Sequence, residues 1–125
     1  MRKQYHFRNI YNNIHIWDVD NIILLTKDLE EEETPLSSIK ELDETYWYDI
    51  DNSPTCRSVA EHMILVQEAD LKYPIIICPE GKIIDGMHRV VKAYLNNQKS
   101  IFSYRLKKMP KPDFININPE ELPYD

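Results

Sequence analysis

Glycine is scarce in this chain, and its placement restricts where the backbone can turn sharply. Gly81 and Gly86 are the only two glycines among 125 residues, and both lie in one segment, PEGKIIDGMHRVVKAYL. Glycine is the residue that most readily adopts positive φ or permits close backbone approach. A tight turn between two strands explains Gly81. Gly86 stands between a short strand and a helix, directly before His88 and Arg89, so we expect special backbone geometry and chemistry to coincide there.

The hydrophobic pattern around this segment predicts an α+β fold, with a compact mixed β-sheet and packed helices. Apolar runs and turn residues predict strands near 34–39, 73–78, 82–85 and 100–106, and helices over about 54–69 and 87–96. The strand over 73–78 is apolar on both faces, which favours a central position covered on both sides. The proline at the start of this strand is tolerated there. Pro35 in the first strand removes a backbone donor, which disfavours a central position for that strand.

The helix over 54–69 has clear sequence signals. Ser53 can cap it, and Pro54 suits the first helical position. Its apolar residues recur at helical spacing and form one stripe: Cys56, Val59, Ala60, Met63 and Val66. The two cysteines, Cys56 and Cys78, are too few for a disulfide scaffold or a thiolate zinc site. We expect both to be buried thiols in a reducing compartment.

The length of 125 residues fits one domain over 1–125. Residues 1–30 form an N-terminal elaboration, in which 1–13 are predicted to be an arm. Asp18 can cap a helix after a short strand, although the β-branched residues also allow a strand throughout this stretch. The tail over 107–125 holds four of the eight prolines and is predicted to be extended or wrapped along the surface.

The charge balance restricts the partners. The chain has 21 acidic and 15 basic residues and a formal net charge of −6, which argues against nucleic acid as a partner. No run approaches the roughly 20 apolar residues needed to span a bilayer, so no membrane partner is expected. No secretion segment follows the basic N-terminus. We therefore expect a cytoplasmic protein.

The chemistry is concentrated at the start of the helix that follows Gly86. The first-turn amides of Met87, His88 and Arg89 lack intrahelical acceptors and lie at the positive end of the helix dipole, which suits an anion. Arg89 adds a fork for phosphate oxygens, and His88 adds a titratable donor. Asp85 can either cap the helix or hold a magnesium ion bound to phosphate. A plainer alternative is an Asp-Gly turn, with His88 bonded to a carbonyl and Arg89 paired with acids.

The order strand–turn–strand–Asp-Gly-x-His-Arg–helix–strand resembles the ParB/sulfiredoxin superfamily. The resemblance covers about residues 34–106 and is sharpest over 83–89, IIDGMHR. It implies a ParB/sulfiredoxin-like fold in which Gly86, His88 and Arg89 hold the phosphates of a nucleotide, with Met87 contributing its backbone. Met87 stands where sulfiredoxins place a reactive cysteine, so sulfinic acid reduction is not expected. The chain also has no helix-turn-helix domain after this region, so DNA segregation is not expected.

The Asp-Gly-x-His-Arg form is closer to the free serine kinases of that superfamily. This resemblance implies phosphoryl transfer from ATP or another nucleotide with Mg²⁺ to a small molecule. The carboxylate base is expected in the loop over 40–44, as one of Glu41, Asp43 and Glu44, alongside Asp85. Thr55 and Arg57, at the start of the preceding helix, are expected to contact phosphate if that helix faces the motif.

Two other functions stay open, and the sequence does not decide whether turnover occurs. A non-catalytic module would bind nucleotide and present it to a protein partner, using the aromatic loop over 46–48 and the tail over 110–124 as contact surfaces. A ParB-like nuclease would use Asp85 and His88, but the net charge of −6 would repel its substrate. The histidines show no metal-ligand spacing, and His62 is predicted to be a surface or packing residue.

Overall fold

The structure is a computed structural model that describes residues 3–124. Met1, Arg2 and Asp125, which belong to the predicted arm and tail, lie outside the described residues. Within 3–124 there are three α-helices and seven strands: β1 (Tyr5–Ile10), β2 (Asn13–Asp18), α1 (Val19–Leu25), β3 (Glu32–Pro35), α2 (Cys56–Glu68), β4 (Ile75–Ile77), β5 (Ile83–Asp85), α3 (Met87–Leu95), β6 (Ser100–Arg105) and β7 (Phe114–Ile115). The α+β prediction is confirmed, although the strands form two sheets rather than one.

The main sheet has four strands in the order β3-β6-β4-β5. β4 pairs in parallel with β6 and antiparallel with β5, so the sheet is mixed. All three residues of β4 are buried, which confirms the predicted central strand. The first predicted strand, over 34–39, is wrong in its bounds: β3 ends at Pro35, and Leu36–Ser38 form a 3₁₀ turn that continues into a second one over Lys40–Asp43.

The sheet has a core on each face because β4 and β5 alternate between them. One core contains Ile75, Ile77 and Ile83 and packs against Val90 and Ala93 of α3. The other contains residues of the sheet together with the N-terminal region: Trp17, Ile22, Ile76, Cys78, Ile84 and Leu106. The N-terminal region, including α1, and helix α3 therefore cover opposite faces of the main sheet.

The arm predicted over 1–13 is wrong where the structure describes it, because β1 and β2 form an antiparallel hairpin from Tyr5↔Asp18 to Ile10↔Asn13. Tyr11 and Asn12 make the turn with φ of 50° and 65°, the backbone that two-residue hairpins favour. The predicted strand and Asp18-capped helix that follow are confirmed, since the Asp18 side chain accepts from the amide of Asp20. The tail is extended and wraps back as predicted, with β7 pairing beside β2.

Helix α2 begins two residues later than the Pro54 start that was predicted. Thr55 caps it, and the Thr55 and Ser58 side chains form a reciprocal capping box. The predicted apolar stripe is largely outside the core: Val66 is buried, whereas Val59 is 44% exposed. Cys56 is exposed, so the expected burial of this thiol is wrong, while Cys78 is buried as expected. The reason is that α2 packs mainly on α3 and leaves its outer face in solvent.

No helix within residues 3–124 combines the length and apolar character that a bilayer crossing requires.

Candidate functional site

The start of α3 is shaped by Gly86, which is the N-cap residue and has φ 114° and ψ 22°. A Cβ at this position would lie 2.5 Å from Cγ2 of Ile75, so the close approach that glycine permits here is to the side chain of a core strand. No side chain caps the first turn of α3. The prediction that Asp85 caps this helix is therefore wrong, and the first-turn amides have no side-chain acceptor.

Asp85 and Arg89 form an ion pair one helical turn apart. Nη2 of Arg89 lies 2.9 Å from Oδ2 of Asp85, and both side chains are largely buried. Nη1 of Arg89 donates to the carbonyl oxygens of Tyr73 and Pro74, at 2.9 and 2.7 Å. These bonds use three of the five N–H donors of a guanidinium. Arg89 thus connects the start of α3 to the chain entering β4. Its ion pair with Asp85 agrees with the plainer alternative, in which Arg89 pairs with acids.

A cleft of about 870 Å³ lies beside this corner. Asp85, Gly86, His88 and Arg89 all line it, so the structure brings most of the motif to one cavity. Its other lining residues come from α1, the end of α2, the chain entering β4, and β6, and the apolar and aromatic ones include Ile23, Leu65, Tyr73 and Tyr104. Three further carboxylates line the cleft, those of Asp20, Glu68 and Asp70. The volume is within the range of small-molecule sites.

The candidate base residues lie elsewhere. Oε2 of Glu41 accepts a hydrogen bond of 2.7 Å from the amide of Ile83, so this carboxylate satisfies the exposed edge of β5. Asp43 and Glu44 are exposed. None of the three is among the residues that line the cleft.

The start of α2 does not contribute to the cleft wall either. Thr55 is occupied in the capping box, and Arg57 is exposed. Neither residue lines the cleft, whose α2 wall comes from the last turns, at Leu65, Glu68 and Ala69. Lys92 of α3 donates to the carbonyl oxygens of Gln67 and Ala69, which places the end of α2, rather than its start, beside α3.

The structure shows a cluster that the sequence interpretation missed, and we call its three rings the Trp47 cluster: Trp47, His62 and His88. The Trp47 ring stacks on His62 at 4.1 Å and 11° and on His88 at 4.7 Å and 18°, between ring centroids. Nδ1 of His62 and Nε2 of His88 are 2.9 Å apart and hydrogen-bonded. The sequence offered two signals for this cluster, the aromatic loop over 46–48 and the mid-helix residue His62. Neither signal shows that the two lie in contact.

Burial dominates the electrostatics of this corner. It lowers the pKa of both His62 and His88, and the charge of His62 lowers the pKa of His88 further. The opposing influences are Glu61 on His62 and Asp85 on His88. Desolvation of the phenol by its neighbours also raises the pKa of Tyr46 to about 12, with contributions from the negative charges of Glu41 and Asp85. Both histidines are therefore neutral at pH 7.

The residues at the start of α3 suit the two ligands that the resemblance implies, nucleotide phosphates and Mg²⁺, to different degrees. Uncapped helix amides beside an 870 Å³ cleft are compatible with the phosphates of a nucleotide. A magnesium ion held by Asp85 fits less well, because one oxygen of this carboxylate is already bound to Arg89. Within residues 3–124, no group of three or more His, Cys, Asp or Glu side chains is arranged to hold a metal ion.

No protein-family model, no curated protein and no solved structure matches this chain. The geometry of the cleft and the resemblance of the motif are thus the basis for the function considered next.

Proposed function

We propose that the chain is a ParB/sulfiredoxin-like protein that binds the phosphates of a nucleotide at the start of α3. The observation that carries this proposal is the first turn of α3, which no side chain caps and which opens beside a cleft lined by His88 and Arg89. Backbone donors at a helix N-terminus favour phosphate oxygens through both hydrogen bonding and the helix dipole.

The architecture around the motif supports the subtype. The elements β3, α2, β4, β5, α3 and β6 follow one another in the order on which the resemblance rests. They also belong to one mixed sheet and its helices, so the motif lies at the junction of β5 and α3 as the resemblance implies.

Each motif residue has a distinct part in this proposal. Gly86 lets α3 start directly against Ile75, and the first-turn amides have no side-chain acceptor. Arg89 is oriented by Asp85 and two carbonyls, and two of its N–H donors stay available for a phosphate oxygen. His88 lines the same cleft, with Nε2 bonded to His62.

Binding is the primary proposal, and phosphoryl transfer to a small molecule is the reaction that the resemblance adds. Because Glu41, Asp43 and Glu44 lie outside the cleft wall, a proton-accepting carboxylate for that reaction has to come from the wall itself. Asp20, Glu68 and Asp70 are the acids in that position. A non-catalytic module that presents its nucleotide to a protein partner needs none of them.

The test of binding is isothermal titration with ATP, CTP, GTP, ADP and tripolyphosphate, with and without Mg²⁺. Amide chemical shifts in the ¹⁵N-labelled protein should move at Met87, His88 and Arg89 when a ligand binds. Arg57→Ala is a matched control, since this exposed arginine is outside the cleft wall and its loss should leave affinity unchanged. The absence of heat and of shifts with all five ligands rejects the proposal.

Turnover separates the enzyme from the module. With a bound nucleoside triphosphate and a panel of free amino acids, a transferase releases the diphosphate and a module does not. Asp20→Asn, Glu68→Gln and Asp70→Asn should identify the base, because loss of the correct carboxylate stops diphosphate release while binding persists.

A further inference from the structure

One ring nitrogen of His62, on α2, faces one ring nitrogen of His88, on α3. The two residues are 26 positions apart in the chain. The 2.9 Å separation of Nδ1 of His62 and Nε2 of His88 requires one proton between them. Trp47 stacks on both rings, which holds them nearly parallel to its indole. The outer nitrogens, Nε2 of His62 and Nδ1 of His88, are left for other partners.

The groups around the pair come from each element packed against it. Glu61 acts from α2 on His62, and the edge of the Tyr48 ring contacts His62 from the loop, at 5.8 Å between centroids. Asp85 acts on His88 from the end of β5, with its carboxylate already paired to Arg89. The two acids favour a positive charge on the pair, while burial opposes it.

The number of protons that the pair can hold follows from this geometry. The neutral pair has two protons on four nitrogens, one of them in the hydrogen bond. A third proton leaves that bond intact and puts an N–H on both outer nitrogens. A fourth would place protons on both facing nitrogens and break the bond. The pair therefore takes up one proton and resists a second, and its titration occurs in two steps that belong to both rings.

We propose that His62 is a positioning residue for His88: by sharing a proton with it beneath Trp47, His62 decides when Nδ1 of His88 becomes a positively charged donor at the cleft. The consequence for ligands rests on the proposed function. When the pair gains its one proton, positive charge is added beside Arg89 and the start of α3, and an anion in the cleft is bound more tightly. Since one proton is involved, the affinity rises by at most about tenfold for each unit that the pH falls.

The test of proton sharing uses the full chain without ligand. Imidazole ¹⁵N shifts of His62 and His88 are followed from pH 8 to pH 4 in the wild type and in two variants. His62→Phe keeps a ring to stack on Trp47 and removes the hydrogen bond, whereas His62→Asn puts an amide near the position of Nδ1 and removes the charge. In the wild type we expect two steps common to both rings, separated by about one pH unit or more.

Both variants should reduce the His88 titration to a single step that lies between the two wild-type steps, because His88 then has no imidazole with which to share the first proton and no charged neighbour to oppose the second. His62→Phe should also lower the fraction of His88 in its native orientation, and His62→Asn should restore it. A wild-type titration of His88 in one step, with a midpoint that His62→Phe does not move, overturns the proposal.

The test of the ligand consequence uses inorganic sulfate, whose own charge is constant over this pH range. Sulfate affinity should rise as the pH falls through the first step in the wild type. At pH 7.5, His62→Phe should bind about fivefold more weakly and His62→Asn within about twofold of the wild type, as expected for one positioning hydrogen bond. If the two-step titration is present and neither sulfate nor any nucleotide binds, the proposed function is rejected and proton sharing stands.

Discussion

Each of the two tryptophans of this chain lies against two histidines. The differences between the two arrangements distinguish a packing cluster from a candidate functional one. The Trp17 ring is 5.8 and 6.0 Å from those of His6 and His15, tilted by about 40°, within one hairpin. The Trp47 ring is stacked nearly parallel on His62 and His88, which belong to two helices. Trp17 is buried and its Nε1 donates to the carbonyl of Pro110, whereas Trp47 is partly exposed.

The difference indicates that an aromatic ring beside histidines is not by itself a functional signal. His6 accepts a hydrogen bond from Nε of Arg8. Burial, together with the charge of Arg8, lowers its pKa to about 4. That histidine is therefore a neutral part of the packing over most of the pH range. In the Trp47 cluster, His88 lines the cleft and shares a hydrogen bond with His62, so protonation of the pair changes the charge at the cleft wall.

The largest expected effect concerns the backbone that places His88 in the Trp47 cluster. Gly86→Ala combines a strained φ with a Cβ 2.5 Å from Ile75, and should lower the free energy of unfolding by about 4 kcal/mol. The control is Gly81→Ala, whose φ is also positive but whose Cβ would have 3.7 Å to its nearest neighbour; it should cost about 1 kcal/mol. Urea unfolding measures both, and equal costs would show that packing on Ile75 is unimportant.

The second effect tests His6, the partly buried histidine beside Trp17. The pKa of His6 is about 4 in the folded protein, below the 6.5 of an unperturbed histidine. The unfolded chain therefore binds more protons between these values, and the stability present above pH 6.5 is lost as the pH falls to 4. The shift corresponds to about 3 kcal/mol. His6→Gln, which keeps an acceptor for Arg8, should flatten this part of the curve of unfolding free energy against pH; an unchanged slope contradicts the assignment.

The third effect compares two arginines. Arg89→Ala removes one partner of an ion pair whose side chains are only 17% and 20% exposed, and should cost about 2 kcal/mol. Arg105→Ala breaks the pair with Glu32, whose side chains are 42% and 45% exposed, and should cost under about 1 kcal/mol. Thermal and urea unfolding give both values. If the Arg89 variant is no worse than the Arg105 variant, Arg89 does not anchor the start of α3.

A small effect is expected at Trp47 when the two tryptophans are compared. Trp17→Phe removes volume and a hydrogen-bond donor from a fully packed position, and should cost about 2 kcal/mol. Trp47→Phe keeps a stacked ring at a partly exposed position and should cost about 1 kcal/mol. In contrast, only Trp47→Phe should move the imidazole ¹⁵N shifts of His62 and His88. A shift of these signals in the Trp17 variant would show that the two clusters are coupled.

Parts of the fold were predictable because their signals are local. Ile75–Ile77 form an apolar run between turn residues, and the structure makes them the central buried strand. Asp18 caps α1 through its own side chain, two residues away. The mixed polar and aromatic residues of β1 concealed a strand, because its order depends on pairing with β2 along its whole length. Periodicity also placed the apolar residues of α2 on one stripe without showing that little of the protein covers it.

By itself, the sequence determined the corner at Gly86, because a residue without Cβ between a strand and a helix dictates backbone geometry within a few positions. Only the tertiary structure decided which side chains meet there. It placed Glu41 at the edge of β5, bonded Arg89 to the carbonyls of Tyr73 and Pro74, and stacked Trp47 on His62 and His88. Contacts between residues so far apart along the chain depend on sheet order and helix packing, which no local pattern of residues specifies.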